Sequence, residues 1–500
     1  MIKRISRFIS ANKGSVLIFL ILMIGIIFRF WHYFDRLNFS VDQGRDALIG
    51  LEAIRLHTLP LLGPPSSSWG FNFGPLYYYV IILFTQLLPS IYSPWIGFTI
   101  LSVLSVFLAF KIGTFTRNSR FGIILAFVTA ASFGEIVNST NLLNTSLVSF
   151  AVFLSFFGVS SYLKTQKYPY LLLAGFAISM AFQSHLQSVP LLFLLISPFF
   201  LNKKKKYLSK IKSVLLALSG FVLGMLPMIV FEIQHNLAWT KSIIDYATFG
   251  QYRFYTPVRW LTDITVFWPE RFGGVLWSIP KTGIFVVVIA FLVIVYHLYK
   301  KNIDKISLFA LAIFLLEIFS IRNYRGPRSP EYLIFTQFFI IYIFSLTVAL
   351  LVEKKNRLLT FVAVILILLF GLFSYLPLIG NKSNSGETIR LLTFVKKELN
   401  PPVTLYVFAN SYENAYSLQY LLTRAGLTAP DGYRLGLCDN GDTDEKTPPR
   451  CPDNFIYSAG RFVLYDLQNS FEDFTRYDPQ TIDPLKLYLR TYNNYELIKY

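Results

Sequence analysis

The chain has 500 residues, of which 54% are hydrophobic and only 15% are charged, and its mean hydropathy is +0.50. Soluble domains carry about 25% charged residues, so this composition excludes a soluble globular protein and indicates a membrane bundle with room for an appended domain. The net charge of +18 raises the question of a nucleic-acid partner, but the basic residues are spread over loops that alternate along the chain.

Apolar runs long enough to cross a bilayer recur along the sequence. The run at residues 75–89 is about 15 residues long, which is short for a span, and it predicts a re-entrant or surface-lying helix. The longer runs predict about eleven transmembrane helices, near residues 15–34, 94–115, 121–137, 146–163, 169–186, 189–201, 213–233, 282–300, 305–321, 331–352 and 359–378.

The loop between the first two predicted spans, residues 35–93, is polar, acidic and rich in glycine and proline. Asp42, Arg45 and Asp46 are crowded there, beside apolar helices. Ionisable groups at a membrane border are costly, so this crowding predicts a functional site. A solvated loop beside the bilayer is the alternative interpretation.

The distribution of basic residues predicts the orientation of the chain. With the N-terminus inside, every loop on the cytoplasmic side is basic, namely residues 116–120, 164–167, 202–212, 299–305 and 353–357. The loop at 35–93, the loop at 234–281 and the residues after 380 then lie outside. The basic excess is explained as a topogenic signal and a contact with anionic membrane lipids, so we expect no nucleic-acid partner.

One predicted outer loop breaks this rule, because it contains Arg322, Arg325 and Arg328, followed by Glu331. The guanidinium fork matches the oxygens of a phosphate or pyrophosphate, so the loop predicts a phosphate site. Contact of ordinary interfacial arginines with lipid head groups is the alternative. His185, at the outer end of a predicted helix, is either a ligand for phosphate or sugar or a structural histidine.

Residues 381–500 differ in character from the rest of the chain. Runs at 386–400 and 411–426 predict amphipathic helices, and runs at 403–410, 461–467 and 495–500 predict strands. We therefore expect a small α/β domain outside the membrane. It contains Cys438 and Cys451, the two cysteines of the chain, and their place on the oxidising side predicts a disulfide. Zinc is disfavoured because no histidine lies in this segment.

The chemistry suggested by these features is a transfer to a hydroxyl. Dinucleotide-binding and P-loop patterns are absent, which disfavours a soluble nucleotide donor. A carboxylate such as Asp42, with Asp46 as the second candidate, could act as the base of an inverting sugar transfer. The outer arginines could stabilise a phosphate leaving group. Tyr77 and Tyr78 could line a sugar site, although an interfacial aromatic belt explains them equally well.

The sequence VDQGR at residues 41–45, followed by GPLYY at residues 74–78, resembles the GT-C membrane glycosyltransferases, in the branch of the protein O-mannosyltransferases and the aminoarabinose transferase. The resemblance is good over roughly residues 1–160 and topological beyond them. It implies an all-α polytopic bundle of many short spans with juxtamembrane helices and an extracytoplasmic C-terminal region, in agreement with the about 11 transmembrane helices predicted from the apolar runs. It also implies inverting transfer from a polyprenyl-phosphate sugar to a hydroxyl of a lipid, polysaccharide or protein, with Asp42 at the family's acidic position.

Two positions depart from the family pattern. Gln43 stands where many relatives have Glu, and the second outer loop offers only Glu135 where relatives often place another acid. The sequence therefore supports no metal ligands and no confident cofactor, although a divalent cation is possible. We expect a catalytic transmembrane domain at 1–380, with its site on the loop 35–93, and an extracytoplasmic domain at 381–500.

Other classes of protein stay open. A transporter or flippase for polyprenyl-linked saccharides could use the same arginines and aromatic residues, but it is expected to show inverted repeats, which the sequence lacks. A surface-polysaccharide ligase or polymerase would carry its long loop later in the chain. A non-enzymatic sensor would leave Asp42 dispensable.

The charge distribution predicts that a reporter fused after residue 380 is active only on the extracytoplasmic side of the plasma membrane, since five basic loops share the other side. Paired fusions of alkaline phosphatase and a cytoplasmic fluorescent reporter measure this. Activity of the cytoplasmic reporter would contradict the orientation and place Asp42 on the wrong face.

Overall fold

Helices make up most of the chain in the computed structural model, which describes residues 13–66, 70–202, 206–250, 260–324, 328–353, 357–376, 385–399, 402–408, 413–440, 451–468 and 471–492. The helices of the bundle are α1 (Lys13–Phe30), α2 (Tyr33–Arg36), α3 (Val41–Leu56), α4 (Leu76–Leu87), α5 (Ser93–Thr116), α6 (Ser119–Ala131), α7 (Phe133–Asn138), α8 (Asn144–Thr165), α9 (Pro169–Ser184), α10 (Phe193–Leu201), α11 (Tyr207–Gln234), α12 (Ala238–Thr248), α13 (Trp260–Thr262), α14 (Trp268–Trp277), α15 (Gly283–Tyr299), α16 (Lys305–Asn323), α17 (Phe335–Glu353) and α18 (Arg357–Tyr375). Short 3-10 helices at Leu186–Leu192, Pro280–Thr282 and Pro330–Leu333 and a π-helical turn at Asp263–Phe267 connect some of them.

Many of these helices are long enough to cross a membrane. In the described part of the chain, six are both long and apolar enough, at Ser93–Thr116, Asn144–Thr165, Tyr207–Gln234, Pro280–Tyr299, Lys305–Asn323 and Phe335–Val352. Six shorter apolar helices lie at Gly14–Phe30, Leu76–Leu87, Ser119–Ala131, Pro169–Ser184, Leu186–Leu201 and Thr360–Ser374. Eleven of these helices coincide with the eleven predicted runs, and Leu76–Leu87 is the run predicted to be re-entrant or surface-lying. The chain is a multi-pass membrane protein.

Two predicted spans are divided in the structure. The run at 121–137 is interrupted at Ser132, whose extended backbone (φ −62°, ψ 123°) separates α6 from the short helix α7. The run at 189–201 begins as a 3-10 helix around Pro190, which has no backbone N–H to donate to an α-helical hydrogen bond.

The bundle is organised around α17. In this helix 94% of the apolar window is buried, compared with 22% in the window that contains α15, so α17 is central and α15 faces lipid. Aromatic side chains fill the space around α17: the ring of Phe338 lies 4.9 Å from that of Phe153 and 4.5 Å from that of Phe156. Tyr342 reaches the hydroxyl of Ser307 on α16 at 2.8 Å, which satisfies both polar groups inside the bundle.

The C-terminal residues form a five-stranded mixed sheet with helices α19 (Ser385–Phe394), α20 (Tyr416–Arg424) and α21 (Pro484–Tyr492). Its strands are β1 (Val403–Val407), β2 (Tyr433–Asp439), β3 (Tyr457–Ala459), β4 (Phe462–Asp466) and β5 (Gln480–Thr481), in the order β3-β4-β2-β1-β5. Strands β1 and β2 are parallel, and α20 lies between them in the chain; the other pairs are antiparallel. A disulfide joins Cys438, at the end of β2, to Cys451.

The sequence predicts the strands at 403–410 and 461–467 but misses β2, the central partner of both β1 and β4. The predicted strand at 495–500 and the proposed domain boundary at residue 380 lie outside the described residues.

The C-terminal sheet domain packs on α3, the helix that carries Asp42. The hydroxyl of Ser417 donates to the carbonyl of Ser40 at 3.2 Å, and Arg424 donates to the carbonyl of Thr85 at 2.7 Å. Gly44 allows this close approach, because a Cβ at that position would lie 2.2 Å from the backbone nitrogen of Ser417. The two parts of the chain are therefore in backbone-to-backbone contact beside the polar loop.

Replacing Gly44 by Ala should force α3 and the C-terminal domain apart. The added methyl group would meet backbone atoms of Ser417, which no rotamer change can move. We expect a cost of about 1–3 kcal/mol and a lower thermal midpoint in detergent, with faster proteolysis of the C-terminal domain. Gly371→Ala is the matched control, since a Cβ at Gly371 meets nothing within 4 Å. A Gly44→Ala protein as stable as this control would contradict the packing.

Candidate functional site

A cavity of about 820 Å³ opens where α3, α9, α12 and α16 come together, and this end of the bundle is called the site end below. Four of the residues predicted from the sequence line it, namely Asp42, Arg45, His185 and Glu331. Aromatic side chains supply much of the rest of the wall, including Phe71, Phe73, Phe182, Tyr246, Tyr324 and Tyr332. Its size and its mixture of apolar walls with a few polar groups are typical of a small-molecule site.

The first turns of α3 place three charged groups side by side. The Arg45 guanidinium contacts Asp42 Oδ1 through Nη1 at 2.7 Å and Asp46 Oδ1 through Nη2 at 2.8 Å. The side chain of Asp42 is 58% exposed and that of Asp46 only 1%. Asp42 therefore presents its carboxylate to the cavity, whereas Asp46 pairs with Arg45 on the buried side.

Asp46 lies in a site that disfavours its charge. Burial raises the pKa of Asp46 to about 6, although the charge of Arg45 and a hydrogen bond from it act in the opposite direction. The Tyr78 hydroxyl also donates to Asp46 Oδ1, at 3.0 Å. Asp46 is thus a buried partner of Arg45 and Tyr78, and it does not line the cavity.

The two predicted sugar-site tyrosines are turned into the protein. Tyr77 and Tyr78 are fully buried, and the Tyr77 hydroxyl donates to the carbonyl of Leu142 at 2.9 Å. Neither side chain belongs to the cavity wall. The two hydroxyls bond to Leu142 and Asp46, and the buried rings face away from the cavity, in contrast to the predicted sugar contact.

His185 is held in one protonation state. Its ring stacks between Phe73 (5.5 Å between centroids) and Tyr332 (5.4 Å), and its Nδ1 accepts the backbone N–H of Gln187. Burial lowers the pKa of His185 to about 4, so the ring is neutral at pH 7. With Nδ1 acting as an acceptor, the proton lies on Nε2, and His185 can donate a hydrogen bond to a bound molecule.

Two arginines of the predicted outer loop contact other side chains of the protein. Both terminal nitrogens of Arg328 contact Asp263, at 2.8 and 3.1 Å, and Arg322 lies over the ring of Trp260 at 4.8 Å. Neither arginine lines the cavity. Arg325 lies outside the described residues. The carboxylate of Asp263 accepts from both terminal nitrogens of Arg328, which are the atoms that would bind a phosphate. The phosphate role of this loop stays a prediction.

One departure from the expected motif, Gln43, has a structural explanation. Gln43 is fully buried and points away from the cavity: its amide donates to Asn141 Oδ1 at 2.5 Å and accepts from Trp95 Nε1 at 2.8 Å. A carboxylate could accept from Trp95 but could not donate to Asn141. Glu135 is also buried, and Ser149 donates to it at 2.5 Å inside the bundle.

The overall arrangement is similar to that of solved membrane enzymes. ArnT from Cupriavidus metallidurans in the apo state superposes with a TM-score of 0.56 at 12% identity, over 91% of this chain and 98% of that chain. The same protein bound to undecaprenyl phosphate gives 0.55 at 11% identity, over 90% and 97%. The chain has the GT-C fold.

A second GT-C protein, the Archaeoglobus fulgidus oligosaccharyltransferase AglB in complex with an inhibitory peptide and a dolichol-phosphate, overlays less closely. Its TM-score is 0.47 at 12% identity, and the match covers 82% of this chain and 60% of that one. No protein-family model matches the sequence, and no curated protein sequence is significantly similar to it. The likeness therefore concerns the fold, and the chemistry has to be argued from the residues of this chain.

Sequence reasoning missed two charged residues at the site end. Glu317, on α16, lines the cavity, and Arg271, on α14, lies behind the 3-10 helix that carries Glu331. Glu317 is hidden within an apolar run, and Arg271 lies in a long loop without a recognised motif. Among the described residues, no three His, Cys, Asp or Glu side chains are grouped so as to hold a metal ion.

The raised pKa of Asp46 predicts a pH-dependent stability. The folded protein binds a proton at Asp46 that the unfolded chain has already lost between about pH 4 and 6, so stability falls as the pH rises through this window. Asp46→Asn removes this loss, which is at most about 3 kcal/mol. Thermal midpoints in detergent from pH 4 to 7 test it, with exposed Asp35→Asn as the control. Parallel curves for wild type and Asp46→Asn would contradict the burial of this carboxyl.

Proposed function

We propose that the protein is an integral membrane glycosyltransferase that moves a sugar from a polyprenyl-phosphate donor to a hydroxyl of a lipid, polysaccharide or protein acceptor. The observation that carries the proposal is the exposed carboxylate of Asp42 on the wall of a cavity of about 820 Å³. The GT-C fold supports it, since ArnT with this fold binds undecaprenyl phosphate. The basic loops support placement of this cavity on the outer face of the plasma membrane.

Asp42 is the proposed general base. Arg45 occupies its Oδ1, and Oδ2 has no hydrogen bond among the described residues. In the proposed step, Oδ2 takes the proton of the acceptor hydroxyl as the hydroxyl oxygen attacks the anomeric carbon. The bond from that carbon to the phosphate oxygen breaks, and the polyprenyl phosphate leaves with the electron pair. A single displacement of this kind inverts the anomeric configuration.

Arg45 fixes the position of the proposed base, Asp42. It fixes the orientation of Asp42 and is itself fixed by the buried Asp46. Because two carboxylates already share this guanidinium, it offers little positive charge to a phosphate. A leaving phosphate needs a cation whose charge is not already compensated.

Arg271 is the proposed cation. Like Arg322 and Arg328 it does not line the cavity, but it donates to the 3-10 helix Pro330–Leu333, whose residues Glu331 and Tyr332 do line it. Its hydrogen bonds within the described residues go to Thr336 and to the carbonyls of Pro330 and Leu333, and none goes to a carboxylate. Burial lowers its pKa to about 10, with Glu331 acting in the opposite direction, so it remains charged at pH 7. A guanidinium whose partners are carbonyls and a hydroxyl keeps its positive charge and its attraction for an anion. We therefore assign to Arg271 the phosphate role that the sequence suggested for Arg322, Arg325 and Arg328.

Replacing Asp42 by Asn should lower turnover by about 10²–10⁴-fold, because the amide cannot accept the proton, while the fold is retained. The measurement is transfer from synthetic polyprenyl-phosphate sugars to a panel of acceptors by purified protein. Asp35→Asn is the matched control: Asp35 is an exposed acid of the same loop that does not line the cavity. Near-normal turnover by Asp42→Asn would remove Asp42 from the reaction, and loss of activity only in Asp46→Asn would transfer the role to Asp46.

A further inference from the structure

Glu317 is a carboxyl group at the wall of the cavity for which the proposed reaction has no use. It lies in the membrane-spanning helix α16, and the residue has no exposed surface. Neither of its carboxyl oxygens has a hydrogen-bond partner among the described residues. An unpartnered acid inside a membrane helix is costly and usually marks a substrate contact.

The neighbours of Glu317 along α16 show which way this face of the helix points. Ser320, Ile321 and Tyr324 follow at helical spacing and also line the cavity. Leu315, on another face of the same helix, is 56% exposed, as expected of a side chain that faces lipid. The hydroxyl of Ser320 donates to the carbonyl of Leu316, so its lone pairs remain available to a ligand. The cavity side of α16 is therefore rich in hydrogen-bond acceptors.

The charges of the cavity wall restrict what Glu317 can bind. Among the described lining residues, Asp42, Glu317 and Glu331 are acidic, and Arg45 is the one Lys or Arg. Arg45 is already shared by Asp42 and Asp46. With no cation beside it, Glu317 offers no attraction to a phosphate, and a polyprenyl tail offers it no hydrogen bond. The part of a lipid-phosphate sugar that does carry hydrogen-bond donors is the sugar.

We propose that Glu317 is a specificity-determining residue that accepts hydrogen bonds from hydroxyl or ammonium groups of the transferred sugar. The inference rests on the proposed function, because it requires a sugar-bearing donor in the cavity. A small rotation of the side chain accompanies binding, since the empty cavity leaves the carboxyl closed to solvent. Sugar binding then satisfies the carboxyl, whereas a donor with no hydrogen-bonding group at this position leaves it unpaired.

The test compares two kinds of ligand on full-length protein in detergent. Bare undecaprenyl phosphate is one probe, and undecaprenyl phosphate carrying glucose, mannose, galactose or glucosamine is the other. Glu317→Leu should weaken binding of the preferred sugar-bearing lipid by roughly 10-fold or more, because its hydrogen bonds to the sugar are lost. Binding of bare undecaprenyl phosphate should not change. Leu315→Ala, on the lipid-facing side of α16, should change neither.

Glu317→Gln distinguishes a sugar hydroxyl from a sugar ammonium group as the donor of the hydrogen bond. The amide keeps an acceptor oxygen, so a hydroxyl ligand should lose only a few-fold in affinity, whereas an ammonium ligand should lose as much as with Leu. Thermal midpoints provide a second readout, because removal of an unpartnered buried carboxyl should raise the stability of Glu317→Leu. A purely structural carboxyl would lower it.

Two results would overturn the assignment of Glu317 alone: equal weakening of bare and sugar-bearing lipid, or wild-type preference for the sugar in both Glu317 variants. Failure of the wild-type protein to bind either lipid would instead remove the proposed function, and with it the ligand that Glu317 requires. The two failures are therefore distinguishable within one set of measurements.

Discussion

The site depends on a single guanidinium shared by two carboxylates of different exposure. Arg45 fixes Asp42, which faces the cavity, and is fixed in turn by the buried Asp46. In a low-dielectric border region, neither a lone base nor a lone arginine would keep a defined position without such pairing. Helix α3, which carries these residues, also packs on the C-terminal domain, because Gly44 contacts the backbone of Ser417. Rigid support of this kind keeps one carboxylate oxygen free and aimed at a ligand.

Hydrophobic runs and one pair of short motifs were sufficient to predict the membrane-spanning helices and the GT-C fold. Each of these signals is local in sequence. Asp42, the predicted base, lies on the wall of a cavity that the sequence did not predict. The breaks at Ser132 and Pro190 shift the ends of two predicted spans because a helix end depends on backbone geometry that hydropathy does not measure. The parallel partner strand β2 was missed for a similar reason, as its pairing is set by residues far away in the chain.

The charges of the site could not be assigned from the sequence, because their partners are distant. The sequence suggests Arg328 as a phosphate ligand. In the structure both of its terminal nitrogens donate to Asp263, 65 positions away in the chain. Tyr78 belongs to a family motif but turns inward to Asp46. Glu317 shows the opposite case: a lone acid in an apolar run gives no periodic signal, and only the cavity reveals that the side chain lacks a partner. Charge pairing in three dimensions therefore decides which ionisable groups are available for chemistry.

A structure of the full-length protein with bound undecaprenyl phosphate would test the central claim most directly. We expect the phosphate inside the cavity against the 3-10 helix Pro330–Leu333, whose carbonyls accept from Arg271, with the free oxygen of Asp42 facing the space next to it. A phosphate bound outside this cavity, for example against Arg322 or the C-terminal sheet, would contradict the account.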